Sequence, residues 1–77
     1  MNPPQDFPLR GEHITLDALL KATGLAHSGG GAKMLIADAA VQVNGETETR
    51  RGRKLRGGDK VALGDVQVHI VAPVAGA

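Results

Sequence analysis

From Thr15 onward the apolar positions fall into two regimes. Leu16, Leu19 and Leu20 recur at helical spacing, with Thr15 ahead of them as a cap and Asp17 in the first turn, where the helix dipole favours an anion. With Gly24 suited to a left-handed stop, the pattern predicts a short helix over 16–23. A second helix is predicted behind Ser28 as its cap, with Leu35 and Ile36 as the main apolar pair and Ala32 and Ala39 extending the stripe. After Ala40 the pattern changes to alternation. Val41 and Val43 share one face with Gln42 on the other, and Asn44-Gly45 is a strong two-residue hairpin signal. Leu55 is expected to point inward, Gly57-Gly58-Asp59 to turn, Val61 and Leu63 to share a strand, and Gly64-Asp65 to turn again. Val66, Val68 and Ile70 then line the core face of the last strand. Pro3, Pro4 and Pro8 at the start, and Pro73 to Ala77 at the end, read as irregular, flexible ends. The fold class expected is α+β: two N-terminal helices, a helix-turn-helix, packed on a small antiparallel sheet. The whole of 1–77 reads as a single domain with an ordered core over about 7–72.

Length and composition sharpen this picture. At 77 residues the chain holds one core, and 42% apolar with 22% charged residues is a globular balance, not a disordered one. So small a domain buries only about 60% of its unfolded surface, and without cysteine it has neither disulfides nor thiolate metal ligands to reinforce it. Packing must hold it. No apolar run approaches the roughly 20 residues of a membrane span, and the first residues lack the basic start and apolar stretch of a signal peptide, so a cytoplasmic protein without membrane contact is expected. The single aromatic residue, Phe7, leaves almost no rings on which unpaired bases could stack.

The net charge of +1 conceals a strong asymmetry. Residues 1–49 sum to −3 and residues 61–77 to −1, whereas residues 50–60 sum to +5. Arg50, Arg51, Arg53, Lys54 and Arg56 crowd into seven positions, where they repel one another unless counterions or a polyanion lie near. Arg50, Gly52, Lys54 and Arg56 have one strand parity and Arg51, Arg53 and Leu55 the other, so the run bends around an edge rather than covering one face. Charge that protects a sheet edge is the structural alternative. The arginine content favours phosphate, because guanidinium meets phosphate oxygens in a fixed two-pronged geometry.

Gly29-Gly30-Gly31 would cost roughly 1 kcal/mol apiece relative to Ala inside a helix, so either the second helix starts late or something approaches its backbone closely. Ser28 with Gly29 and Gly30 could present free backbone amides to a phosphate; a loose turn or close helix packing are the structural alternatives. The run is not a nucleotide-binding P-loop, since Ala32 separates Gly31 from Lys33 and Met34 stands where a magnesium-binding hydroxyl would be. His13, His27 and His69 show no ligand spacing and no metal is expected. Ser28 is the only serine, better used as a cap than as a nucleophile, and no carboxylate pair suggests acid–base work, so no enzyme and no cofactor are expected.

Ile14-Thr15-Leu16-Asp17, Gly24, Ser28, Leu35-Ile36, Val41-Gln42-Val43-Asn44-Gly45 and Gly57-Gly58-Asp59-Lys60-Val61 together resemble, in order and spacing, the RNA-binding domain named after ribosomal protein S4, over about 50 of the 77 residues. Ser28 to Lys33 with Glu48 to Lys54 resembles the small stand-alone YbcJ-like branch of that family. The resemblance implies an alpha-L motif and a non-catalytic protein that recognises structured, ribosomal RNA by phosphate and shape, in association with the ribosome. The family often has Arg before the Leu-Asp pair, Lys after it and Arg behind the capping Ser; here those positions are Thr15, Ala18 and Gly29. RNA contact is therefore expected to shift toward Arg50, Arg51, Arg53, Lys54 and Arg56, with Lys33 adding charge from the second helix and Ser28, Gly29 and Gly30 presenting amides. Four or five neutralised phosphates would give a log–log salt slope of about −3 to −4. The family commonly has Gly at the end of the second helix, where this chain has Ala39, so that end is expected either to be rearranged or to hold a strained left-handed Ala. A monomer is expected. Two competing readings are a protein-interaction module whose basic edge docks an acidic or ribosomal protein, and an appended module left from a larger RNA-modifying enzyme.

Overall fold

The computed structural model describes residues 4–73. Its elements run β1 (Gln5–Pro8), β2 (Ile14–Thr15), α1 (Leu16–Ala22), α2 (Gly29–Ala37), β3 (Val41–Val43), β4 (Glu46–Thr47), β5 (Lys54–Leu55), β6 (Lys60–Leu63) and β7 (Val66–Val71). Five strands form one sheet in the order β1-β7-β6-β3-β4, and β2 pairs with β5 in a second, two-stranded sheet.

The α+β class and both helices follow the sequence pattern, but two expectations about arrangement are corrected. The helices are not N-terminal, because β1 and β2 precede them, and the larger sheet is mixed rather than antiparallel, because β1 runs parallel to β7. Pro8, taken as part of an irregular start, lies in β1 opposite Val71. Proline lacks only a donor, and on an edge strand one row of donors goes unused, so it is tolerated there. Leu9 then donates its N–H to the Val71 carbonyl at 2.9 Å and enters the core. Pro3 and residues 74–77 of the expected flexible ends lie outside the described residues.

Register explains the core. Val43, Val61 and Val68 face one another across β3, β6 and β7, and Val41, Leu63 and Val66 form the next row. Val41, Val43, Val61, Val68 and Ile70 are buried, as is Leu55, with Val66 only half-buried. Leu16, Leu19 and Leu20 of α1 and Ala32 and Ile36 of α2 complete one contiguous cluster. Each fully buried Leu or Ile contributes about 1.5–3 kcal/mol relative to exposure, which is the main reserve a domain without staples has.

The helix ends show where local chemistry decides. Ser28 caps α2 as expected, its Oγ accepting from the Gly31 N–H at 3.1 Å, and α2 includes all three glycines rather than starting late. Thr15 occupies the cap position of α1 but its hydroxyl does not cap: it donates to Asp17 Oδ1 at 2.7 Å, and that same oxygen takes the Ala18 N–H at 2.9 Å. At the end of α2, Ala40 N–H reaches the Leu35 carbonyl and Ala39 N–H the Ile36 carbonyl, a full left-handed capping motif, with Ala39 at φ 61°. The helix end is thus not rearranged around its missing glycine, and Ala39 carries the strain. Ala39→Gly is expected to stabilise the protein by up to about 1 kcal/mol, read as a higher melting temperature; an unchanged or lower one would show that the exposed Ala39 is at ease there.

Candidate functional site

The basic run is shaped from both sides. Asn44 (φ 53°) and Gly45 (φ 86°) form the two-residue turn between β3 and β4, which fixes Val43 opposite Glu46 and Gln42 opposite Thr47. The next residue, Glu48, donates its N–H to the Val41 carbonyl at 3.0 Å and so lies on the inward face of the hairpin, only 6% exposed. A carboxylate there needs partners. Arg50 donates to it three times, from Nε to Oε2 (3.1 Å), from Nη2 to Oε1 (3.2 Å) and from the backbone N–H to Oε2 (3.1 Å). Arg53 Nη1 adds a fourth bond to Oε1 at 2.8 Å. The Arg50 guanidinium first, then that of Arg53 and the Arg50 amide, hold the Glu48 carboxyl far below its usual value, at about 2, against a smaller opposing cost of burial.

Between these two arginines the chain reverses, Arg53 N–H bonding back to the Arg50 carbonyl at 3.2 Å with Arg51 and Gly52 in the turn. The turn then meets α1. The Arg53 carbonyl accepts the Leu16 N–H at 2.9 Å and the Arg51 carbonyl accepts the Asp17 N–H at 3.1 Å, so backbone from the basic loop caps the first turn in place of the Thr15 hydroxyl. The Thr15 hydroxyl, helped by the Ala18 N–H and by the nearby charge of Arg51, holds the Asp17 carboxyl below its usual value. Lys54 and Leu55 continue as β5 against β2, Leu55 buried and Lys54 exposed. Arg56 is anchored by its backbone: its N–H donates to Asp59 Oδ2 at 2.8 Å, Asn44 Nδ2 donates to Asp59 Oδ1 at 3.1 Å, and Asn44 Oδ1 accepts the Lys60 N–H at 2.9 Å. The Asn-Gly and Gly-Asp motifs, far apart in sequence, thereby form one clamp. Gly57 in it is required by space, since a Cβ there would fall 2.5 Å from that of Ala72.

The structure therefore gathers Arg50, Arg51, Arg53, Lys54 and Arg56 on one bent segment, and it sorts them. Arg50 and Arg53 are paired with Glu48; Arg51, Lys54 and Arg56 are exposed and make no ion pair among the described residues. Ser28, Gly29, Gly30 and Lys33 are exposed on a different element, the cap and first turns of α2. Close helix packing does not explain Gly29 or Gly30: a Cβ on Gly29 would meet nothing within 4 Å, and one on Gly30 would meet only the Ser28 hydroxyl at 3.8 Å. His13 and His27 are exposed and His69 is half-buried. Among the described residues no three His, Asp or Glu side chains gather as metal ligands would, and no helix is long and apolar enough to cross a membrane.

Glu48 is the site residue that the charge count missed. The signal was present: the Asn44-Gly45 turn sets Glu48 beside Val41 on the buried face, and an inward carboxylate followed at two and five positions by arginine reads as an ion-paired turn.

A helix pair packed on a small mixed sheet, with a basic loop capping the first helix, defines a small α+β domain with one cationic segment. The chain belongs to the S4 domain family, whose model matches residues 7–71. YbcJ of Escherichia coli (strain K12), whose name proposes RNA binding, is 40% identical over 60 residues, covering 78% of this chain and 86% of YbcJ. A Bacillus subtilis (strain 168) protein whose name proposes ribosome maturation, RlbA, is 46% identical over 52 residues, covering 68% of this chain and 73% of RlbA. The solution structure of E. coli YbcJ, described with an αL motif involved in RNA binding, superimposes with a TM-score of 0.70 at 37% identity, over 94% of this chain and 92% of that one.

Proposed function

We propose that this protein is a non-catalytic, cytoplasmic RNA-binding module that recognises folded ribosomal RNA through phosphate contacts and shape, working as a monomer. The observation that carries the reading is the bent segment Arg50–Arg56, in which three cations stand exposed and make no ion pair among the described residues, while the backbone of the segment is tied to α1 and to Asp59. Preorganised cations keep the affinity that flexible ones lose in ordering themselves. The names of the relatives, RNA binding for YbcJ and ribosome maturation for RlbA, support the same reading. On this reading the segment that carries Arg50, Arg51, Arg53, Lys54 and Arg56 is the main contact surface, Lys33 adds charge from α2, and Ser28, Gly29 and Gly30 let a phosphate approach the backbone closely. With almost no aromatic surface, recognition falls on helical or compact RNA rather than on splayed bases.

A proton–nitrogen NMR titration of the labelled protein with a folded ribosomal RNA fragment at two salt concentrations tests this directly. Salt-sensitive shifts at residues 28–33 and 50–56 are expected. Absence of shifts with several unrelated folded RNAs, together with capture of a protein partner that survives nuclease, would replace it with the protein-docking reading.

The glycines give a separate check. Gly30→Ala meets no clash and removes the flexibility of a helical glycine, so it is expected to raise stability by up to about 1 kcal/mol while weakening RNA binding several-fold. A variant that melts higher and binds RNA as well as the parent would remove Gly30 from the interface.

A further inference from the structure

We propose that Glu48 is the positioning residue of the RNA-binding loop: it withdraws Arg50 and Arg53 from phosphate contact and leaves Arg51, Lys54 and Arg56 as the cations that meet the RNA. This inference rests on the RNA-binding reading above and divides the work within it.

The geometry is that of a saturated acceptor. A carboxylate offers about four lone-pair sites, and Glu48 receives three guanidinium bonds and one backbone bond, all between 2.8 and 3.2 Å. Arg50 uses two of its nitrogens on this one group, in the two-pronged geometry it would otherwise offer to phosphate. Arg53 is held deeper, its side chain only 33% exposed. These two residues are the ends of the turn whose apex is Arg51, and the Arg51 and Arg53 carbonyls are the ones that cap α1. Closing the turn around Glu48 therefore sets where Arg51 stands on the surface and docks the loop on the helix pair.

The choice of residue points the same way. An apolar side chain at position 48 would continue the inward face of Val41 and Val43, and would leave all five cations free. A carboxylate instead subtracts one unit of charge from a surface that binds a polyanion. Its contribution to binding lies in geometry, not in field strength.

The test is the salt dependence of binding to a folded ribosomal RNA fragment, followed by fluorescence anisotropy for the parent and for Arg50→Gln, Arg51→Gln, Arg53→Gln, Arg56→Gln and Glu48→Gln, each checked for folding by its NMR fingerprint. Gln keeps hydrogen-bonding capacity and removes charge. Neutralising one phosphate fewer flattens the log–log slope by about 0.7–0.9. Arg51→Gln and Arg56→Gln are expected to do so; Arg50→Gln and Arg53→Gln are expected to weaken binding a few-fold with the slope kept. Glu48→Gln is expected to steepen the slope, by about 1.4 if both released arginines find phosphates. Equal flattening by Arg50→Gln, Arg53→Gln and Arg51→Gln, or an unchanged slope in Glu48→Gln, would overturn the division while leaving RNA binding intact. Should Glu48→Gln not fold, the four arginine variants decide alone. A parent protein whose affinity is flat with salt would instead sink the RNA-binding reading itself.

Discussion

A protein carrying Arg51→Glu and Arg56→Glu together is expected to bind a folded ribosomal RNA fragment at least about a hundredfold more weakly than the parent near 0.15 M salt. At that ionic strength each phosphate neutralised contributes roughly fourfold through counterion release, so removing two cations costs about fifteenfold and reversing them costs about the square of that. Neither side chain makes an ion pair among the described residues, and the bonds that hold the segment use the Arg51 carbonyl and the Arg56 N–H, which any residue supplies. The fold should survive, with the NMR fingerprint altered only near the loop and around Asp17, which loses the nearby charge of Arg51. A variant that stays folded and binds within threefold of the parent would rule out this segment as the RNA-contacting surface.

That the segment would be basic was legible from the chain alone, and that it would be ordered was not. Its order depends on three contacts: the Arg51 and Arg53 carbonyls on α1, the Asp59 carboxylate on the Arg56 amide, and Glu48 beneath the turn. Only the last could have been read ahead, from the register that Asn44-Gly45 imposes. The second half of the fold was legible because its hairpins are local, each turn set by Gly, Asn or Asp and β3, β6 and β7 by alternating apolar residues. The first strand was not, because Gln5–Pro8 shows no alternation, contains proline, and owes its conformation to β7, more than fifty residues further on. The pair β2 and β5 escapes pattern reading for a different reason: two residues apiece are too few to show a period. Thr15 illustrates a third limit. The cap position was correct, but the side chain that caps is decided by what else is near, and a neighbouring Asp17 together with an incoming loop displaced the hydroxyl.

The departures from the family pattern fit this arrangement. Where the family often carries cations around the start of the first helix, this chain has Thr15 and Ala18, yet the Arg50–Arg53 turn docks on that same helix start. The turn thus brings positive charge to the region from a different part of the chain, while the Thr15 hydroxyl and the Ala18 N–H serve Asp17. At the start of α2 the position that is often Arg is Gly29, which exchanges a side-chain contact for exposed backbone.

Glu48→Gln is expected to lower stability at pH 7 by about 2 kcal/mol, and the deficit should vanish in acid. A carboxyl displaced from its ordinary value of 4.5 to about 2 corresponds to about 3 kcal/mol of folded-state stability, at 1.36 kcal/mol per pH unit. The Arg50 side chain is 74% exposed, so solvent screening reduces that figure to about 2. For a domain of this size the loss corresponds to a drop in melting temperature of about 10 °C. Because the folded-state value lies below that of the unfolded chain, acid protonates the unfolded form first. The contribution is therefore present above about pH 4.5 and is lost as the pH falls through about 2, below which Glu48 is neutral in both states. Melts of parent and variant across pH 2 to 7 should converge through that window and run parallel above it. Curves that stay parallel throughout would mean that the neutral amide loses packing rather than charge, and that Arg50 and Arg53 are not held by the ionised carboxylate.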